Sequence, residues 1–150
     1  MKKIAVTQRL ILNQNYYEMR EALDINWGKL LKKLNFLPVI LPIEFEYNKY
    51  FNSIKIDGII LTGGNDLNNT NKNELSLKRD KFEKELIKYA IKKKIPIFGT
   101  CRGMQIIADY FGAKFKKVKG QVAIRHKLNI NVKSKYFKQL KKISTVNSFH

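Results

Sequence analysis

The sequence contains a single cysteine, Cys101, among its 150 residues. It therefore cannot form a disulfide within the chain, and a reducing cytoplasm is the default compartment. No apolar run approaches the roughly eighteen residues that a membrane-spanning helix needs. The amino-terminal MKKIAV is also too short for the apolar core of a signal peptide. The sequence thus predicts a soluble cytoplasmic protein with no membrane partner, organised as a single domain over residues 1–150.

Acidic residues are scarce as well. The chain has 30 Lys and Arg against 12 Asp and Glu, which gives a net charge of +18. Asp109 is the last acidic residue, and the 41 residues after it include eleven Lys or Arg. We interpret this excess mainly as a solvated lysine surface, which does not favour a nucleic-acid partner. The alternatives are an anionic ligand, or a partner or further segment that supplies balancing acidic groups.

Strand and helix patterns alternate along the first 112 residues. Strands are predicted in KIAV (3–6), in IDGIIL (56–61) and within KKKIPIFGT (92–100), and the two prolines of FLPVILP (36–42) indicate a short or edge strand. Helical spacing predicts one helix whose apolar face carries Ile25, Leu30, Leu31 and Leu34, and another that Gly112 closes. LNINV (128–132) is a further strand candidate, and SKYFKQLKKI (134–143) is a helical stretch.

A longer helix is predicted from Leu77 onward. Its apolar stripe contains Phe82, Leu86, Tyr89 and Ala90. The charged side chains between them are expected to face water: Lys78, Asp80, Lys81, Glu83 and Lys84.

This alternation predicts an α/β fold with a mostly parallel sheet and helices on both faces. In such folds, sites form where the carboxyl ends of the strands meet. Three loops satisfy that condition: TQR (7–9), TGGND (62–66) and GTCRG (99–103).

Cys101 lies in the last of these loops. A lone thiol can be a buried apolar group, a metal ligand or a nucleophile, but G-T-C-R-G between a strand and a helix matches the sharp turn that exposes a nucleophile. Gly99 and Gly103 would be required because a Cβ at either position would clash with neighbouring backbone. The amino end of the following helix favours a thiolate. We therefore predict that Cys101 is a nucleophile.

A nucleophile that attacks a carbonyl also needs donors for the oxyanion that forms. The backbone N–H of Arg102 is one candidate, and the Gly63-Gly64 pair at the end of the neighbouring strand can offer another. On its own, the glycine pair would more often form a tight turn, and the cysteine would more often be a buried thiol. The combination of the glycine pair with the cysteine turn favours the catalytic interpretation.

These residues resemble class I glutamine amidotransferase-like hydrolases, in particular the gamma-glutamyl hydrolase branch, peptidase family C26. The shared stretches are LTGGNDL (61–67), RDKFEKELIKYAIKKKIPIFGTCRGMQ (79–105) and VNSFH (146–150). The resemblance implies a flavodoxin-like fold, Cys101 as the nucleophile, and an oxyanion hole at Gly64 and Arg102. It also implies four substrate-binding positions, Gly63, Gln105, Ser148 and His150, and a reaction with no metal or organic cofactor.

One feature of that family is missing from the sequence. Its catalytic His and Glu lie in a late H-P-E segment, whereas this chain contains only His126 and His150 and no Glu after Glu85. VNSFH resembles a pocket-lining motif, and we interpret His126 as a surface or loop histidine. The sequence therefore predicts the N-terminal part of an enzyme of roughly 200 residues. The last elements of the fold and the general base are expected beyond His150.

The resemblance implies hydrolysis of a gamma-glutamyl amide, a small-molecule substrate. Candidates are gamma-glutamyl-aminobutyrate and related polyamine products, or gamma-glutamyl-CDP-amidate from capsule assembly, which the basic surplus slightly favours. One alternative is a glutaminase domain or subunit that delivers ammonia to a synthetase partner. Another is a basic binding module that lacks the chemistry. A homo-oligomer is compatible with each of these hypotheses.

Overall fold

A computed structural model gives the structure of the protein and describes residues 1–116, 118, 120, 122–127, 129–143 and 145–148. The chain forms two compact units, Met1–Lys114 and Phe115–His150. The single domain expected over residues 1–150 stays a prediction.

Thirteen elements are found in the described residues. The first unit contains β1 (Lys2–Val6), β2 (Arg9–Leu12), β3 (Met19–Ala22), α1 (Ile25–Lys33), β4 (Phe36–Ile40), α2 (Tyr47–Ser53), β5 (Gly58–Leu61), α3 (Glu74–Lys93), β6 (Ile97–Gly99) and α4 (Arg102–Tyr110). The second unit contains β7 (Ile124–Lys127), α5 (Phe137–Leu140) and β8 (Thr145–Ser148).

The first unit is built on a four-stranded sheet with the order β4-β1-β5-β6. Every pair of neighbouring strands is parallel. The order places β4 at an edge, as the prolines in FLPVILP predicted, and Pro38 is opposite Ile4 of β1. β5 is central and all four of its residues are buried. The predicted α/β class with a parallel sheet is confirmed.

Helices cover both faces of this sheet because successive strand residues point in opposite directions. Ile59 and Leu61 of β5 pack into one core with side chains from α2, α3 and α4. Ile60, between them, packs into the other core with Leu31 of α1. Leu31 is the only residue of the predicted α1 stripe that is buried, since Ile25, Leu30 and Leu34 are exposed.

A feature that the sequence patterns did not reveal is an antiparallel hairpin, β2-β3, directly after β1. Arg9 is paired with Ala22 at its base. The buried side chain of Leu10 anchors the hairpin. The hairpin thus lies at the carboxyl edge of the sheet, where the three loops were expected to meet.

The second unit contains an antiparallel pair, β7-β8, in which Ile124 is opposite Ser148. The predicted strand LNINV is wrong for residues 129–132, which are not in a strand, and Leu128 lies outside the described residues. The helical stretch predicted over 134–143 contains the single short helix α5.

The predicted helix closure at Gly112 is confirmed, since α4 ends at Tyr110 and Gly112 has a φ of 84°. The predicted glycine requirement of the cysteine turn also has a direct structural cause. A Cβ at position 99 would lie 2.3 Å from the carbonyl oxygen of Gly103. A Cβ at position 103 would lie 2.0 Å from the carbonyl oxygen of Leu61. α4 therefore packs backbone to backbone against β5.

We predict that Gly103→Ala lowers the free energy of unfolding by about 1–3 kcal/mol, because the added methyl group meets backbone that cannot rotate away. Gly28→Ala is the matched control, since Gly28 lies in α1 with no atom within 4 Å of the Cβ position. That change should stabilise the protein by up to about 1 kcal/mol. Urea unfolding followed by circular dichroism measures both values. Equal effects of the two substitutions would contradict this account of α4 packing.

Candidate active site

Cys101 occupies the turn between β6 and α4. Its φ of 54° and ψ of −119° are unusual for a residue with a side chain, and the residue is exposed. The turn is held by a hydrogen bond from Thr100 N–H to Leu61 O (3.1 Å) and another from Gly103 N–H to Thr100 O (2.8 Å). Left-handed backbone of this kind persists only where the surroundings enforce it, and it often marks a functional residue.

The loop after β5, residues 62–65, faces this turn. A Cβ at position 63 would lie 3.2 Å from Cys101 Sγ, so only a glycine leaves the thiol this close to the loop backbone without crowding. Gly64 has a φ of 79°, in the left-handed region that glycine tolerates best. Gly63, one of the two glycine positions that the sequence singled out, therefore adjoins the cysteine, and Gly64 follows it in the loop.

One buried guanidinium, that of Arg79 in α3, holds the loop. Its Nη1 donates to the carbonyl oxygens of Gly63 and Gly64, both at 2.8 Å. Its Nη2 donates to Thr62 O at 2.9 Å. Arg79 is fully buried, and that burial lowers the pKa of its guanidinium, while the neighbouring Glu83 carboxylate opposes the shift. Three consecutive carbonyl groups thus point at a single cation.

This arrangement determines where the N–H groups of the loop point. In a planar trans peptide the C=O and N–H bonds point in opposite directions. Because the carbonyl of Gly63 is turned toward Arg79, the N–H of Gly64 is turned away from it. The N–H groups of Gly64 and Arg102 donate no hydrogen bond within the described part of the chain. Neither group is therefore engaged by another described residue.

The side chain of Arg102 serves a different purpose from its backbone. It is buried, and its guanidinium forms ion pairs with Asp80 and Glu83 of α3. Glu83 also accepts hydrogen bonds from Arg79 Nε (3.1 Å) and Thr7 Oγ1 (2.7 Å). Two cations and two carboxylates are therefore neutralised within one buried cluster, formed by Arg79, Asp80, Glu83 and Arg102.

The predicted exposure of Asp80 and Glu83 was wrong. Asp80 is 6% exposed and Glu83 is fully buried. A signal was present in the sequence, since Arg79, Asp80 and Glu83 continue the three- and four-residue spacing of the apolar stripe toward the amino end of α3. Charged residues at core positions of a helix require partners from another element, and a pattern along one helix does not supply them.

The remaining predicted site residues are distributed over both units. Gln105 is half-buried in the first turn of α4, and its N–H donates to Cys101 O at 3.1 Å. Ser148 belongs to β8 in the second unit. His150 lies outside the described residues. His126, expected at the surface or in a loop, is half-buried in β7.

Neither a metal-binding cluster nor a membrane-spanning helix is found in the described residues. Among them, no group of three or more His, Cys, Asp or Glu side chains could hold a metal ion. No helix in the same ranges is sufficiently long and apolar to cross a membrane.

The geometry suits attack on a carbonyl group. An exposed thiol on a strained turn adjoins a loop whose N–H groups are directed by a buried cation. An acyl transfer needs such a combination of a nucleophile and nearby backbone donors.

Comparison with known proteins identifies relatives with similar sequences. Gamma-glutamyl-CDP-amidate hydrolase of Campylobacter jejuni is 41% identical over 150 residues, which covers 98% of this chain and 69% of that protein. A glutamine amidotransferase-like protein of Lactococcus lactis is 30% identical over 110 residues, with 68% of this chain and 44% of the relative covered. The glutamine-hydrolysing GMP synthase of Plasmodium falciparum is 34% identical over 110 residues, with 68% and 19% covered.

The chain thus spans about two thirds of the first relative's length and less than half of the other two. A family model described as Peptidase C26 matches residues 4–150. This match includes the cysteine turn, the glycine loop and the buried cluster of α3 and α4. The chain belongs to the peptidase C26 family.

Proposed function

We propose that the protein hydrolyses a gamma-glutamyl amide with Cys101 as the nucleophile. The observation that carries this proposal is the contact between the thiol and the glycine loop, where the Cβ position of Gly63 lies 3.2 Å from Sγ. No other described residue combines a nucleophilic atom, a strained exposed turn and adjacent unpaired N–H donors.

The reaction has two steps. In the first, the Cys101 thiol loses its proton and sulfur attacks the gamma-carbonyl carbon, a C–S bond forms, the C–N bond breaks, and that proton ends on the departing nitrogen. In the second, water attacks the thioester, a C–O bond forms, the C–S bond breaks, and glutamate leaves while sulfur regains a proton.

Both steps pass through a tetrahedral intermediate whose oxygen carries negative charge. We assign the N–H groups of Gly64 and Arg102 to that oxygen. The buried cluster supports both donors: Arg79 orients the loop that contains Gly64, and the ion pairs of Arg102 hold the first turn of α4 against α3. Donors positioned before the reaction need no reorganisation when the charge develops.

For the substrate, we propose gamma-glutamyl-CDP-amidate, the compound that the Campylobacter jejuni relative's name specifies. The 41% identity over nearly the whole chain supports this choice, and the net charge of +18 suits an anionic substrate. Gly63 and Gln105 are proposed to bind the gamma-glutamyl portion, and the substrate-binding roles that the resemblance implies for Ser148 and His150 stay predictions.

Cys101→Ala should abolish glutamate release from gamma-glutamyl-CDP-amidate, lowering the rate at least about a thousandfold, since the covalent route is lost. A coupled glutamate assay measures this rate. Met104→Leu, an exposed change on the same helix, should retain the wild-type rate and serves as the matched control.

Two results would contradict the proposal. Glutamate release that survives Cys101→Ala would exclude the thiol as the nucleophile. Ammonia release from free glutamine that exceeds hydrolysis of the CDP-amidate would instead favour a glutaminase that serves a synthetase.

Arg79→Lys should lower kcat by about 10- to 100-fold with little change in KM, because a lysine keeps the buried charge but lacks the planar fork whose two Nη atoms bond the loop carbonyl groups while Nε bonds Glu83. Steady-state kinetics separates the two constants. Alkylation of Cys101 by iodoacetamide requires no oxyanion hole, so its rate should be unchanged.

The control for this change is Arg20→Lys, the same substitution at an exposed arginine of β3 that pairs with Glu18. It should have no effect on kcat. If Arg79→Lys slowed alkylation as much as hydrolysis, its effect would be on the cysteine turn as a whole, and the assigned role of Arg79 in orienting the loop would be wrong.

A further inference from the structure

A cavity of about 220 Å³ opens beside the glycine loop. Gly63, Gly64 and Thr100 form one wall, and a second wall comes from the hairpin and the start of α1. The polar or aromatic side chains on that second wall are Arg9, Asp24 and Trp27. The roles assigned above do not use any of these three residues.

Arg9 is the cation of this cavity. Its stem lies directly against the loop, since a Cβ at position 64 would be 2.7 Å from Arg9 Cδ. The backbone that carries it is fixed to the same loop, because Asn65 accepts from Leu10 N–H (2.9 Å) and donates to Leu10 O (2.8 Å). Within the described ranges the Arg9 guanidinium has no hydrogen-bond or ion-pair partner. An exposed arginine whose stem lies against the loop of the proposed oxyanion site suits an anionic group of the substrate.

Trp27 supplies a different kind of contact. Its indole is half-buried and packs against the core cluster of Ile4, Val6, Leu31 and Ile60, while another part of the side chain lines the cavity. A fixed aromatic surface in a polar cavity is a stacking platform for a planar base. Asp24 lies close to it and already uses its side chain to cap α1 by accepting from Asn26 N–H at 2.8 Å.

We infer that this cavity binds the phosphorylated leaving group of the substrate, with Arg9 on the phosphate and Trp27 against the base. This inference rests on the proposed function. In an amidate of CDP the phosphorus is bonded to the scissile nitrogen, so one atom separates it from the carbonyl carbon. Three carbon atoms separate the same carbonyl carbon from the alpha-carboxylate of the glutamyl group. A cation whose stem touches Gly64 is better placed for the nearer anion, and the glutamyl group has no planar ring for Trp27.

The sole tryptophan of the chain reports directly on this cavity. Titration with CDP should change Trp27 fluorescence saturably, whereas L-glutamate should not. Arg9→Met keeps the length of the stem but removes the charge, and it should weaken CDP binding about tenfold or more. Arg20→Met removes the same charge from the same hairpin outside the cavity and should leave CDP binding unchanged. Trp27→Phe, followed by calorimetry, should also weaken CDP binding.

The outcomes separate this inference from the proposed function. Labelling of Cys101 by a glutamine-like electrophile should be equally fast in the wild type and in Arg9→Met. If Arg9→Met slowed labelling but left CDP affinity intact, Arg9 would serve the glutamyl carboxylate and the inference would be overturned. CDP binding that neither fluorescence nor calorimetry detects would also overturn it. If the wild type bound CDP, Arg9→Met weakened that binding, and the wild type released no glutamate from the amidate, only the proposed function would be contradicted.

Discussion

The carboxyl edge of this protein's sheet depends on the buried guanidinium of Arg79. It donates to three consecutive carbonyl groups of the loop after β5 and to Glu83 on its own helix. An uncompensated cation at this depth would be strongly destabilising, and within the cluster the carboxylates of Asp80 and Glu83 balance the charges of Arg79 and Arg102. Because the same contacts orient the N–H groups beside Cys101, the interaction that makes the buried charge tolerable also organises the proposed oxyanion hole.

The cluster connects elements that are distant in sequence. Thr7 at the end of β1 donates to Glu83, Arg102 at the start of α4 pairs with the same carboxylate, and Asp80 accepts from Asn68 N–H at 2.9 Å. Three loops at the carboxyl edge are thus tied to one face of α3. Side chains that are held on several sides lose little further freedom when a substrate binds, which favours a site whose geometry is set in advance.

Much of the architecture was predictable because its signals are local. Apolar runs that end in glycine or threonine predicted β1, β5 and β6, and prolines predicted the edge position of β4. The hairpin β2-β3 was missed because its short strands alternate weakly and its anchor, the Asn65 amide bonded to Leu10, comes from a loop 55 residues away. The burial of Asp80 and Glu83 was missed for a related reason: a helix pattern contains no information about cations that another element contributes.

The sequence by itself determined the cysteine turn. Gly99 is needed where the strand turns into the helix, because a Cβ there would meet the carbonyl oxygen of Gly103, only four residues away. The requirement for Gly103 is not local, since it comes from the carbonyl oxygen of Leu61 in β5. The tertiary structure alone decided what surrounds the thiol. It turned charged residues of α3 inward because their partners converge from other elements, and it placed Arg9 and Trp27 around one cavity because the hairpin folds back onto the glycine loop. Local backbone geometry is encoded by neighbouring residues, whereas compensation of buried charge requires contacts across the fold.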